Sequence, residues 1–249
     1  GRHRDMATGN YCIMFDARNY VELLGIVAPD QPDRGFASLV NQRGEGLIKL
    51  AFSTDDVQAA AAQLRNHGID ADGPVELARP LELDGGEVEP QFRLVLLPSE
   101  AAPVINGFIC FHVTPELTHQ ARWMDHENGV TGIKNITSVC DNPPELAATY
   151  ETLLGAGATV LTDDTLTVFA GQTPLLFVTR DHLGVLYPPL IGQNIPKEPH
   201  AVAMVLSVRS LDRTERHLTS VGIPFTKDTE GGIHVLPQYA NGTHLVFEE

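Results

Sequence analysis

Glu22 stands inside the apolar run Tyr20-Val21-Glu22-Leu23-Leu24, and His112 ends a second one, Phe108-Ile109-Cys110-Phe111-His112. Read as strands, these runs put Tyr20, Glu22 and Leu24 on one face, and Phe108, Cys110 and His112 on one face of the other. A carboxylate inside an apolar strand is costly unless it is paired, bound to a metal or wetted at a cleft edge. The chemistry it offers is proton transfer, ligation or substrate contact. His112 offers a neutral imidazole as ligand or acid–base group; the alternative is a core or hinge histidine held by backbone. His119 and His126 follow in polar sequence, where helix-cap or interface roles are expected. His217 and His234 stand isolated and read as surface residues, while His244 and Glu248 flank a strand end without making a site.

Other chemistries lack their motifs. No G-x-S-x-G, P-loop or dinucleotide glycine fingerprint occurs in the strand-to-helix context it needs. Cys12, Cys110 and Cys140 match no zinc spacing, and each lies in an apolar run, so buried free thiols are expected. Free thiols fit a reducing compartment, and a cytoplasmic location follows as the expectation.

The elements that must position these residues repeat along the chain. Three segments share one layout: an apolar strand, a polar turn, an amphipathic helix and a closing glycine. The first begins with residues 47–53 and its helix ends at Gly68; the last begins with residues 202–207 and its helix ends at Gly222. Phe52 matches Leu206, Ser53 matches Ser207, and Val57, Leu64 and Gly68 match Leu211, Leu218 and Gly222. Val139 and Gly155 keep the same separation in a looser middle copy. Val57, Ala60, Ala61 and Leu64 form one helical stripe, with Thr54 or Asp55 expected to cap it. Leu146, Tyr150, Leu153 and Leu154 repeat the stripe, behind Pro143-Pro144 at a helix start. Three strand runs follow each helix: 75–82, 92–97 and 108–113; 159–161, 166–169 and 175–178; 225–227, 233–236 and 244–247. Three βαβββ units are therefore expected, at about 46–113, 131–179 and 201–248.

Before them stand only two strand runs, 11–15 and 20–26, joined at Asp16-Ala17-Arg18. They read as the back half of a fourth unit whose opening strand and helix lie upstream. Residues 1–6 would be an expression scar before a start at Met6 on one reading and natural sequence continuing from upstream on the other; the repeat favours the second.

The 249 residues suffice for one large domain or two of about 120. With 43% hydrophobic and 20% charged residues, disorder is not expected. A formal net charge of −15, without a basic stripe, excludes nucleic acid as an expected partner. No apolar run reaches the roughly 18 residues of a membrane span.

Three pieces carry a family resemblance: Gly1-x-His3 with Ala7-Thr8-x-Asn10; Asn19-Tyr20-Val21-Glu22-Leu23-Leu24; and His112-Val113-Thr114-Pro115-Glu116-Leu117-Thr118-His119 continuing through Trp123, His126, Asn128 and Gly129. With the βαβββ repeat, the chain resembles glyoxalase-like domain proteins of the vicinal-oxygen-chelate superfamily, which includes glyoxalase I, extradiol dioxygenases and bleomycin-resistance proteins. The resemblance implies an α+β fold in which paired modules form two half-open eight-stranded barrels, the first module incomplete. It implies an N-terminal pair over 1–113, a connector over 114–130 and a C-terminal pair over 131–249.

It also implies a site. Active members hold one divalent metal (Zn, Ni, Fe or Mn) on the first and last strands of paired modules. Glu22 and His112 occupy such positions, as metal ligands or catalytic groups. Where the next opening strand would carry a histidine stands Lys49, an ammonium that could face Glu22, grip an anionic substrate or simply reach into solvent. His3, Asn10, Tyr20 and Phe108 complete the implied substrate-binding set. In the C-terminal pair the equivalent positions are Asn135, Phe177, Ala203 and Val246, a poor divalent ligand set, so that half is expected to be structural or an apolar wall. Two functions remain open: a metal-assisted lyase, isomerase or dioxygenase acting on a small molecule in the N-terminal cleft, or a metal-free binding or sequestering protein. Oligomeric state stays open.

Overall fold

The computed structural model describes residues 1–3, 6–33 and 35–249; Arg4 and Asp5, within the 1–6 stretch that the sequence reads as a scar or as natural sequence, lie outside them. β1 (Thr8–Met14) and β2 (Tyr20–Ile26) form an antiparallel hairpin in which Cys12 faces Glu22 and Met14 faces Tyr20. Residues 1–3 run beside β1: Arg2 bridges Gly9, and the His3 amide donates to the Thr8 carbonyl at 3.1 Å. α1 (Phe36–Arg43), which the sequence pattern did not indicate, follows with no buried residue.

The next unit comprises β3 (Ala51–Ser53), α2 (Val57–Asn66), β4 (Asp72–Ala78), β5 (Leu81–Leu83), β6 (Gly86–Val88), β7 (Gln91–Leu96) and β8 (Phe108–His112). α2 buries Val57, Ala61 and Leu64, and its cap is Asp56 rather than Thr54 or Asp55; the Asp56 carboxylate accepts from the Gln58 and Ala59 amides. Gly68 takes the left-handed φ of 80° that ends the helix. The sheet order is β3-β8-β7-β4. The run expected over 75–82 breaks at Pro80. Arg79 donates the last ladder bond to the Pro90 carbonyl, and neither proline has an N–H to continue it. β5 and β6 then make a separate ribbon.

After α3 (Pro115–Thr118) come β9 (Val130–Val139), α4 (Ala147–Leu154), β10 (Thr159–Thr162), β11 (Thr165–Ala170), β12 (Thr173–Val178), α5 (Arg180–Leu186), β13 (His200–Val208), α6 (Leu211–Ser220), β14 (Thr226–Lys227), β15 (Ile233–Val235) and β16 (His244–Glu248). Their strands form one sheet of eight, β10-β11-β12-β9-β13-β16-β15-β14, with β9 and β13 antiparallel at its centre. The implied eight-stranded sheet is thus reached in this half. In the N-terminal half the first unit contributes β1 and β2, which stand as a sheet of their own, so the strands there do not join into one.

One core cluster runs through both halves, from Phe15, Val57 and Ile109 to Ile136, Tyr150, Phe177, Leu206 and Phe247. A second lies on the other face of the eight-stranded sheet. There Leu183, Tyr187 and Leu190 pack on Val178, Val202, Ala203, Val205 and Val246. A bulge between Ala201 and Ala203 turns both Val202 and Ala203 to this face.

Candidate functional site

Pairing across β1 and β2 puts Thr8, Asn10, Cys12 and Met14 on one face with Tyr20, Glu22, Leu24 and Ile26. On the four-stranded sheet, register collects Val75, Leu77, Phe92, Leu94, Leu96, Phe108, Cys110 and His112 on one face, while Val95 and Ile109 point into the core with α2. Arg79 continues the alternation of Val75 and Leu77. These two faces meet, and their polar groups interlock.

Asn10 is the hub. Its Nδ2 donates to Glu22 Oε1 at 2.6 Å and lies 3.4 Å from His3 Nε2, while its Oδ1 accepts from an Arg79 Nη at 2.7 Å. The second Arg79 Nη donates to Cys12 Sγ at 3.3 Å, and the guanidinium lies 5.6 Å from the Phe92 ring centre. His3 Nδ1 meets Thr8 Oγ1 at 2.8 Å, and His3 Nε2 lies 4.0 Å from Glu22. A neutral His3, donating from Nδ1 and accepting at Nε2, satisfies both contacts. Burial lowers its pKa, which favours that form.

At the other end, Tyr20 Oη and Thr118 Oγ1 lie 3.5 Å from the two nitrogens of His112, and Thr118 also meets His119 Nδ1 at 3.1 Å. Bonds of 3.5 Å are weak. His112 is instead walled by rings, with Phe92 at 4.9 Å, His119 at 5.2 Å and Tyr20 at 5.8 Å, all edge-on. Burial first, then His119 and Arg79, holds its pKa down at about 4. Burial raises the Tyr20 phenol and the Cys12 thiol and pushes Cys110 up to about 12. Burial thus favours the neutral forms of His3, His112, Cys12, Cys110 and Tyr20.

The structure groups Glu22, His3 and Asn10 with Arg79, and Tyr20 with His112 at the other end of the same face. Phe108 shares the face of His112, opposite Leu96. Lys49 does not join them. It is exposed, precedes β3, and makes no hydrogen bond or ion pair among the described residues. The chain reaches this point from the Leu47–Ala201 bridge and becomes strand only at Ala51. The cation that meets Asn10 is Arg79, whose signal is its place two residues beyond Leu77 in an alternating run. Thr118 and His119 were also missed as wall residues. His126 sits at an interface as expected, its Nε2 2.6 Å from the Met14 carbonyl.

The divalent metal implied by the resemblance does not fit this set. Among the described residues no three His, Cys, Asp or Glu side chains stand where they could share an ion. Glu22 Oε1 is taken by Asn10, and a guanidinium one amide away repels a dication.

In the C-terminal half Phe177 is not a cleft position: it points to the helices and packs 5.0 Å from Tyr150. The face with Ala203 and Val246 is covered by Leu183 and Tyr187, whose hydroxyl meets Thr137 Oγ1 at 2.7 Å. Nor is His234 a surface residue. It is buried because both faces of the sheet are covered there, and it links Asp228 Oδ2 at 3.0 Å to His244 Nε2 at 3.1 Å. His217 is half-buried and lies 3.5 Å from Glu127. Of the cysteines, Cys110 and Cys140 are buried and Cys12 half-buried, all free. No helix among the described residues is long and apolar enough to cross a membrane.

This repeat of βαβββ units is shared with solved structures. A hypothetical protein from Staphylococcus aureus superposes over 100% of this chain and 88% of its own, with a TM-score of 0.69 at 12% identity. A mutant 4-hydroxymandelate synthase from Streptomyces coelicolor matches 97% of this chain and 80% of its own, with a TM-score of 0.54 at 13% identity. At these identities the likeness is one of fold. No curated protein matches the sequence. The glyoxalase-like domain family profile matches residues 1–154, and the chain belongs to that family.

Proposed function

We propose that the N-terminal cleft binds a small molecule and that Glu22 exchanges a proton with it, as in a lyase or isomerase. The Glu22–Asn10–Arg79 line carries this reading. Glu22 Oε1 receives the Asn10 amide, while the carboxyl side chain stays 35% exposed, leaving its other oxygen for a ligand. A carboxylate oriented by one bond and open on the other side is what a general base requires. Val75, Leu77 and Leu96 are exposed on the face that carries Arg79 and supply apolar wall. A second reading, sequestration without turnover, draws on the ring box of Tyr20, Phe92, His112 and His119, which offers shape and few strong bonds.

A small-molecule library screened by saturation-transfer NMR, with hits mapped on side-chain spectra, tests the site. Binders are expected to move the signals of His3, Tyr20 and His112. Hits that all map to residues after 130 would overturn the reading. Glu22→Gln then separates the alternatives: binding kept with turnover lost indicates proton transfer, and a wild type that binds without ever converting its ligand indicates sequestration.

A further inference from the structure

We infer that Arg79 takes the place of a metal as the positive centre of this cleft, and that the ligand presents a carbonyl or carboxylate oxygen to it. This rests on the reading of the N-terminal cleft as the ligand site. Arg79 is 8% exposed, yet among the described residues its bonds go to neutral groups, the Asn10 amide oxygen and the Cys12 thiol. Burial keeps that thiol protonated. A guanidinium removed from water is costly unless an anion or strong acceptors answer it. Glu22 answers it only through the Asn10 amide and faces solvent on its other side.

A guanidinium has five N–H donors in a fixed fork, suited to two oxygens side by side. Two donors fix its plane against Asn10 and Cys12, and Phe92 backs it, so the fork is held before a ligand arrives. A ligand that yields a proton to Glu22 gains negative charge on its oxygen as Glu22 loses its own. The charge then moves to a partner of Arg79, and the net charge of the cleft is unchanged.

Pyruvate, which offers a carboxylate and an adjacent carbonyl oxygen, is a suitable probe. Titrated into the full chain and followed by the Arg79 Nε–H signal and by calorimetry, it is expected to bind equally with and without EDTA. Arg79→Lys keeps the charge but loses the fork, and should weaken binding roughly tenfold or more. Arg79→Met should abolish it. If Arg79 merely ties the two sheets together, Arg79→Lys will lower the melting temperature and leave pyruvate affinity unchanged, which overturns the inference. Binding lost on chelation, or stoichiometric zinc uptake that Glu22→Gln removes, also overturns it, and so does pyruvate failing to move the Arg79 signal. An Arg79→Lys variant with unchanged pyruvate affinity, or pyruvate that fails to move the Arg79 signal, leaves the Glu22 reading intact, which the library screen decides separately; zinc uptake removed by Glu22→Gln would overturn both. Should Arg79→Met fail to fold, Arg79→Lys alone carries the test.

Discussion

At the scale of single residues, the site depends on an amide with no capacity to spare. Asn10 is buried, and its two ends serve a carboxylate and a guanidinium at once. Asn10→Ala leaves Glu22 and Arg79 without their shared partner; Glu22 can turn to water, while the buried Arg79 loses a strong acceptor, at a cost of about 1–3 kcal/mol. Urea denaturation should show Asn10→Ala destabilised by that order, while Asn10→Gln, which keeps the amide, recovers part of it. An unchanged midpoint in Asn10→Ala would mean that the amide orients nothing. Glu22, Tyr20 and His112 were legible in the sequence because strand alternation alone decides which side chains share a face. Asn10 and His3 stood out only through family resemblance. Arg79 is hidden because the run containing it reads as one strand to residue 82, and the partner that defines it comes from a hairpin 69 positions earlier. Lys49 was misplaced because a family position was assumed to be strand two residues before strand begins.

Among the elements, the clearest departure from expectation is the stretch between β12 and β13. Residues 180–199 contain Gly184, Pro188, Pro189, Gly192, Pro196 and Pro199, so turn chemistry masked the helix. Leu183 and Tyr187 are one turn apart, which is the only stripe a helix so short can show. That segment covers the Val202–Val246 face of the eight-stranded sheet and seals His244 beneath Tyr187, with ring centres 5.4 Å apart. Burial first, then His234, holds the His244 pKa at about 4, against 6.5 in an exposed chain. The unfolded chain thus takes up a proton near pH 6.5 that the folded chain refuses until about pH 4. Stability should therefore fall as pH drops from 7 to 4 and level off below, by on the order of 3 kcal/mol from this group. His112, held equally low by its own burial, adds a loss of the same sign. Urea midpoints across this range should show a shallower slope in His244→Phe than in the wild type. Equal slopes would show that His244 is not held neutral by the fold.

Across the whole molecule, the hairpin carrying Glu22 is fixed by the C-terminal half. Asn19 acts as a substitute strand: its Nδ2 donates to the Ile133 carbonyl at 3.1 Å and its Oδ1 accepts from the Ile133 amide at 3.0 Å. The Ala17 amide donates to the Thr131 carbonyl at 3.1 Å, and Arg209 reaches both Asp16 and Asp125. The sequence showed the Asp16–Arg18 turn but not what it rests on, because periodicity reports one element at a time and not the contact between two. Between the Thr131 and Ile133 contacts lies Gly132, where an added Cβ would stand 2.6 Å from the Ala17 Cβ. Its φ is not in the left-handed region, so the demand for glycine is steric and comes from the other half of the chain. Gly132→Ala should push the turn away, strain the Asn19 bonds and cost about 1–3 kcal/mol as overpacking does. Since one core cluster spans both halves, the loss should appear as a lower midpoint of a single transition. The double variant Ala17→Gly/Gly132→Ala removes the colliding methyl and should regain most of the stability, whereas Ala17→Gly alone gains nothing. If the double variant is no more stable than Gly132→Ala, or if Gly132→Ala is neutral, the turn does not bear on β9 as closely as described, and the hairpin holding Glu22 is positioned by other contacts.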